Sequence, residues 1–242
     1  MKVATGGFLS RHDNIYFYVP NLIGYFRIAS ALFAFAVAMK HPLSCVISYS
    51  VGFVGDELDG RFARKYNQTS QFGVVLDMVT DRLSTAGLLV ILCMMYQECY
   101  VIFLGLLMLD IFSHWSQMYY TLTTGNTSHK DVRSKSFLVR TYYQYRWFMG
   151  FCCVSCEVLY LALYLLHWPQ PRWLTIKVNF LQYLNVNLPG VDGGENISLI
   201  WAVVALSLPG VGAKQIINVC QLWNALSGLV HQELKEREKH AD

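Results

Sequence analysis

Four aspartates crowd one stretch of this sequence, DELDGRFARKYNQTSQFGVVLDMVTDR, which runs from Asp56 to Arg82. Asp56 and Asp59 are three residues apart, and Asp77 and Asp81 are four apart. On helices, each pair occupies one face, stacked a turn apart. The residues between, Lys65 to Ser70, are polar and suit a short turn, so the two pairs are expected on the inner faces of a helical hairpin. Carboxylates this crowded repel one another, and either protonation or cations would relieve them. Hard oxygen donors favour magnesium or manganese. Four aspartates are enough to bridge two such ions roughly 3.5–4 Å apart, an arrangement that serves in-line phosphoryl chemistry. The same residues could instead cap helix ends at a water interface, and spacing alone goes no further than a metal site.

The elements that must hold these aspartates look like membrane helices. The chain is 54% hydrophobic and 14% charged, whereas soluble domains carry about 25% charged residues. About six apolar runs are long enough to span a bilayer: Leu22 to Met39, Pro42 to Gly55, Val74 to Tyr96, Tyr100 to Leu122, Phe148 to His167 and Ile197 to Leu229. The second is short and continues into the aspartates. The last is too long for one straight span, and Pro209-Gly210 is expected to kink or break it. No small-residue cleavage site follows the first run, so it reads as a span rather than a cleaved leader. Lipid admits only helices or closed barrels. The expected fold is therefore all-α: one polytopic domain over residues 1–242, with about six spans in a single bundle and a polar cavity on its cytoplasmic side.

Lysine and arginine set the orientation. With six spans, Lys2, Arg11, Arg61, Arg64, Lys65, Lys130, Arg133, Lys135, Arg140, Arg146 and the tail Lys235, Arg237 and Lys239 share one side, and Lys40, Arg172 and Lys177 share the other. The positive-inside rule places both termini and the aspartates at the cytoplasmic face. Of the three Asn-x-Ser/Thr sites, Asn67 and Asn126 fall on that side and Asn196 lies close to the last span, so none is expected to be glycosylated. The seven cysteines sit mostly within apolar runs and argue against a disulfide framework, and Cys153-Val-Ser-Cys156 reads as helix packing. A net charge of +3 is too small to suggest nucleic acid as a partner. The basic loops suit topology and anionic headgroups.

Written out, the aspartate stretch is D-x2-D-G-x2-A-R-x8-G-x3-D-x3-D, eight fixed residues across 26 positions. This resembles the signature of the CDP-alcohol phosphotransferase family. Each fixed residue has a physical use. Gly60, beside Asp59, lets a nucleotide approach the helix backbone. Ala63 stays small on the same face, Arg64 can pair with phosphate, and Gly73 is expected to let the third helix pack close to the second. Further blocks resemble the eukaryotic branch of the family that uses inositol: NIYFYVPNLIGYFRI, FGVVLDMVTDR, LDIFSHW, SHK at Ser128 to Lys130, and RTYYQYR. A departure is the connection from Trp168 to Asn196, which contains PQPRW and LPGVDGGEN. Glu57 and Arg61 also add charge inside the signature.

The resemblance implies attack by myo-inositol on the β-phosphorus of CDP-diacylglycerol, giving phosphatidylinositol and CMP, with two magnesium or manganese ions. It implies Asp56, Asp59, Asp77 and Asp81 as ligands, Asp81 also as the base, and Gly60, Arg64 and Ser70 against the CDP moiety. A homodimer in the endoplasmic reticulum, or the Golgi, with its site facing the cytoplasm, is the matching expectation. The acceptor pocket stays open. Asp110 and His114 share a helix face and could serve the acceptor or simply orient helices. Lys130 and Arg133 could contact phosphate or merely set topology. Asn21 and Arg27 could anchor the first span near the site or snorkel to the interface. The rival readings are a family member with another acceptor or donor (glycerol phosphate, serine, or CDP-choline or CDP-ethanolamine as donor), a divalent-cation transporter, and an inactive scaffold. The ordered glycines with Ala63-Arg64 speak against transport, and intact Asp81 speaks against decay.

Overall fold

A computed structural model describes residues 14–123, 137–177, 189–192 and 196–241. The chain divides into two compact units, residues 1–91 and 92–242.

The first unit is built on α1 (Val19–Val37), α2 (Pro42–Tyr66) and the greater part of α3 (Gln71–Met95). Pro20 and Pro42 stand in the first turns of α1 and α2, where a missing N–H costs nothing and the fixed φ favours helix. α1 packs along α2 through small residues: Ala34, Ala38 and Cys45 are completely buried and Tyr49 nearly so. α3 approaches α1 at two glycines of this unit. A Cβ on Gly24 would fall 2.9 Å from Leu76 Cδ2, and a Cβ on Gly87 would fall 2.3 Å from Phe35 Cε2. The outward faces carry Leu32, Phe33, Val51, Val54 and Leu83, all exposed. Such faces suit lipid, where apolar side chains cost nothing and the helices satisfy their own backbone.

Between α2 and α3 the chain turns within Asn67 to Ser70. Asn67 adopts φ 55°, the left-handed cap that asparagine tolerates better than most residues. The next N–H, of Gln68, closes on Ala63 O at 2.9 Å. Ser70 then starts α3 by accepting the Gly73 N–H at 2.9 Å, an N-cap bond. This is the hairpin expected from the polar Lys65–Ser70 segment.

The second unit holds α4 (Tyr100–Thr123), α5 (Phe137–Gln144), α6 (Arg146–Leu166) and α7 (Ile200–Ala241). α7 packs against both α4 and α6, and α5 lies on α6 and α7. Pro209 does not break the last helix: α7 runs through it as one element of 42 residues. The proline removes one backbone bond, but Gly210 beside it lets α6 come so close that a Cβ there would overlap Ser155. Close packing at a small residue holds the helix together where its ladder is interrupted.

The departure at 168–196 contains strands that the sequence pattern did not announce. β1 (Thr175–Lys177), β2 (Val191–Asp192) and β3 (Asn196–Ser198) form an antiparallel sheet in the order β1-β3-β2, with Ile176 opposite Ile197 and Val191 on the other side of Ile197. Asn196 sits in β3.

Among the described residues six helices are long, and five of them, α1, α3, α4, α6 and α7, are long and apolar enough to cross a membrane. α2 is the sixth long helix. Its first half is apolar, and the charged residues from Asp56 to Lys65 lower the rest. The protein is an all-α polytopic membrane protein. All seven cysteines are free, with Cys152 and Cys156 buried in α6 as packing residues.

Candidate active site

Asp56 and Asp59 lie on α2 beyond Gly55, where its apolar half ends, and Asp77 and Asp81 lie on the first three turns of α3. The hairpin turn sets the two pairs face to face. Asp56, Asp59 and Asp77 each offer a carboxylate oxygen, and these oxygens lie within 4.8 Å of one another. An all-oxygen donor set of this size fits a hard divalent cation such as magnesium or manganese. Asp81 is not in that group of three.

What joins the four is Arg27, from α1. It is 3% exposed. Its Nη1 donates to Asp59 Oδ2 at 2.6 Å and to Asp77 Oδ1 at 2.8 Å. Its Nη2 lies 2.9 Å from Asp56 Oδ1 and donates to Asp81 as well. Each terminal nitrogen therefore ties one carboxylate of α2 to one of α3. The side chain reaches this position across Gly55, where a Cβ would stand 2.9 Å from Arg27 Cγ. Of the two openings left by the sequence, anchorage near the site is the one realised: Arg27 does not snorkel.

Crowding leaves its mark on the α2 pair. Burial, then the Asp81 carboxylate, pushes Asp56 up to about 8 against the opposing pull of Arg27. Burial, then Asp77, pushes Asp59 up to about 6, again opposed by Arg27. Without cations, protons share this site.

Asn21 is also buried and belongs to the scaffold. Its Nδ2 donates to Ile15 O at 2.6 Å, and its Oδ1 faces Gly73, where a Cβ would come within 2.8 Å. Gly73 is thus small for the sake of α1 and of the Ser70 cap, whose Oγ would lie 3.1 Å from that Cβ. The expectation that Gly73 lets α3 approach α2 is corrected accordingly. Val19 N–H donates to Gln68 Oε1 at 2.9 Å, which ties the start of α1 to the same turn.

Gly60 is different. A Cβ there would meet only Arg64 Nη1, at 3.5 Å, an ordinary contact, so space remains over the helix backbone beside Asp59. Arg64 is exposed, with its guanidinium lying over Gly60. Ser70 spends its hydroxyl as an acceptor for the Gly73 N–H, and a hydroxyl keeps further donor and acceptor capacity. Ala63 supplies the carbonyl that closes the cap. Glu57 and Arg61 pair with each other at 2.8 Å on the exposed side of α2.

In the second unit, Asp110 and His114 share one face of α4, as expected. Asp110 is 9% exposed. The His114 ring nitrogen Nδ1 is 2.8 Å from the Asp110 carbonyl oxygen and 3.5 Å from its Oδ1. Lys130 and Arg133 lie outside the described residues. Lys214, not among the residues singled out above, is buried about a third of the way along α7, and its Nζ donates to Tyr142 OH at 3.2 Å and sits 5.1 Å from that ring. One lysine inside an apolar run was the available signal.

A family model described as CDP-alcohol phosphatidyltransferase matches residues 17–168. The chain is 45% identical to "Probable CDP-diacylglycerol--inositol 3-phosphatidyltransferase 2" of Arabidopsis thaliana, over 93% of this chain and 95% of that protein. It is 44% identical to "CDP-diacylglycerol--inositol 3-phosphatidyltransferase 1" of the same plant, over 93% and 94%. The "CDP-diacylglycerol--inositol 3-phosphatidyltransferase" of Schizosaccharomyces pombe is 38% identical, over 94% of each chain. No solved structure matches. The matched segment opens just ahead of α1, which brings Arg27, and closes past α6, where the 168–196 connection begins; the carboxylates and the turn that opposes them all fall within it, and the chain belongs to the CDP-alcohol phosphatidyltransferase family.

Proposed function

We propose that this protein transfers a phosphatidyl group from CDP-diacylglycerol to myo-inositol, forming phosphatidylinositol and releasing CMP. The observation that carries this reading is likeness over more than nine-tenths of both chains to proteins named for that reaction. The converged carboxylates supply the chemistry it needs.

Asp56, Asp59 and Asp77 would hold the divalent cations, with Asp81 completing the set. Magnesium or manganese, as two ions, would neutralise the diphosphate and the developing charge on its oxygens. The open backbone at Gly60 receives the cytidine end of the donor, and Arg64 and Ser70 lie on the same hairpin to contact it. Asp81 accepts the proton of the attacking inositol hydroxyl, because a sugar hydroxyl is too weak an acid to ionise alone near neutral pH. The new bond joins that oxygen to the β-phosphorus, and the bond to CMP breaks. Asp81's place outside the compact group of three suits a base. Asp110, His114, Lys130 and Arg133 remain candidates for the acceptor side.

The site is proposed to face the cytoplasm, in a polar cavity open to that side, with six spans counting α2, in endoplasmic reticulum or Golgi membranes. The protein is proposed to act as a homodimer and as a single catalytic domain over 1–242. The deciding experiment incubates membranes containing the chain with labelled inositol and CDP-diacylglycerol. Label should enter phosphatidylinositol only when magnesium or manganese is present. Absence of product with inositol, alongside product with serine or glycerol phosphate, would transfer the assignment to another acceptor.

A further inference from the structure

The guanidinium of Arg27 sits among the very oxygens that would bind a cation. Nη1 is shared between Asp59 and Asp77 at 2.6 and 2.8 Å. Those are two of the three carboxylates whose oxygens converge within 4.8 Å, and Nη2 reaches the third, Asp56, at 2.9 Å. A divalent ion bridging α2 to α3 would make the same cross-links that these two nitrogens make. A positive charge so placed also repels an incoming cation.

Two details show what keeps the guanidinium there. Arg27 Nε is buried and finds no hydrogen-bond partner among the described residues. The hydrogen bonds and ion pairs that hold this group are those of the carboxylates. Gly55 provides a slot for the stem, since a Cβ would stand 2.9 Å from Arg27 Cγ. A buried charge is retained where it is paired, and here it is paired with groups that also have a second client.

We propose that Arg27 is a resident counter-cation that competes with divalent ions for these carboxylates, so that loading the site is an exchange of cations. It is a positioning residue: in the absence of metal it holds the four carboxylates together, and it yields oxygens as ions enter. The inference rests on the metal-dependent transfer reading above, and it makes a prediction of opposite sign to a purely structural role. If Arg27 merely braces the helices, its removal loosens the carboxylates and weakens metal binding. If it competes, removal strengthens binding.

The test uses the full chain in detergent or lipid discs, with Mn2+ alone as probe, free Mn2+ being followed by electron paramagnetic resonance. Thermal unfolding in EDTA and in saturating Mn2+ is the second readout. Arg27→Gln should bind Mn2+ roughly ten-fold more tightly than wild type, from loss of a competing charge. Its unfolding temperature should fall in EDTA, and saturating Mn2+ should restore most of the difference. Arg27→Lys keeps one charge but not the fork that spans four carboxylates, so its affinity should lie between the two. If Arg27→Gln does not fold, Arg27→Lys carries the test alone. Affinity equal to or weaker than wild type in the folded variants overturns the proposal. Wild type that binds no Mn2+ overturns it together with the metal reading. Tighter binding in the variants, alongside no phosphatidylinositol synthesis by wild type, supports the exchange and removes only the acceptor assignment.

Discussion

Asp81 and Asp56 are both carboxylates of one cluster, yet their substitution should have different consequences. Asp81→Asn keeps the shape and one oxygen but removes basicity. Turnover should fall by on the order of 10²–10⁴, while Mn2+ binding weakens less than in Asp56→Asn, whose oxygen belongs to the compact group of three. Rate and metal titration on the same preparations separate the two, and equal loss of both properties in both variants would refute the division of roles. Protonation offers a second handle. Asp56 and Asp59 are raised to about 8 and about 6, so the metal-stripped protein binds more protons folded than unfolded from about pH 4, the ordinary carboxylate range, up to about 8. Its stability should fall as pH rises from about 4 to about 8, the direction that linkage gives for raised carboxylates. Saturating magnesium should cancel or reverse that slope, because ions bind the ionised form. Thermal unfolding across that pH range, with and without EDTA, reads it directly. These aspartates were legible in the sequence because their chemistry dictates both residue type and spacing. Arg27 was visible only as a charge in an apolar run. Its four partners lie from 29 to 54 residues away, and no local pattern encodes a contact of that range.

The α2–α3 hairpin turns on two glycines that the signature treats alike and the structure does not. Gly73→Ala would drive a Cβ to 2.8 Å from Asn21 Oδ1 and 3.1 Å from the Ser70 cap. It should cost about 1–3 kcal/mol of stability through overpacking, seen as a lower unfolding temperature in detergent. Gly60→Ala meets only the tip of Arg64 at 3.5 Å. Its fold should be unharmed, and the expected effect is a raised KM for CDP-diacylglycerol, since the added methyl would occupy the side of the helix proposed for the donor. Equal unfolding temperatures for the two variants would overturn this distinction. The sequence announced the hairpin through the polar run and the helical spacing on either side. It did not say which helix each glycine serves, because a requirement for smallness carries no label for the neighbour that imposes it. The sheet at 175–198 escaped for another reason. Its strands have only three, two and three residues, too short for an alternation of faces to emerge. At Pro209 the local rule pointed toward a break, and packing at Gly210 prevailed.

At the scale of the molecule, the lysine and arginine distribution gives a topology that can be tested from either side of a membrane. A cysteine placed at Lys65 should react with an impermeant label only from the cytoplasm, and one placed at Asp192 only from the lumen. Labelling of both from one face would exclude an odd number of spans between them, and with it the six-span topology. The apolar runs made the six long helices readable, since bilayer thickness prescribes their length. The helical ends were less so, because α2 and α7 continue past their apolar portions. That continuation in α7 has a practical side. At 1.5 Å per residue, a helix of 42 residues is about 63 Å long, twice the roughly 30 Å of hydrocarbon it has to cross. Its final turns bear the pair Arg237–Glu233 at 2.5 Å and the Gln232–Glu236 bond at 3.2 Å, the pattern of a helix clothed for water. A rigid fusion continued in helical phase from the end of α7 would make that stalk a fiducial marker for electron microscopy of this 27.7 kDa chain.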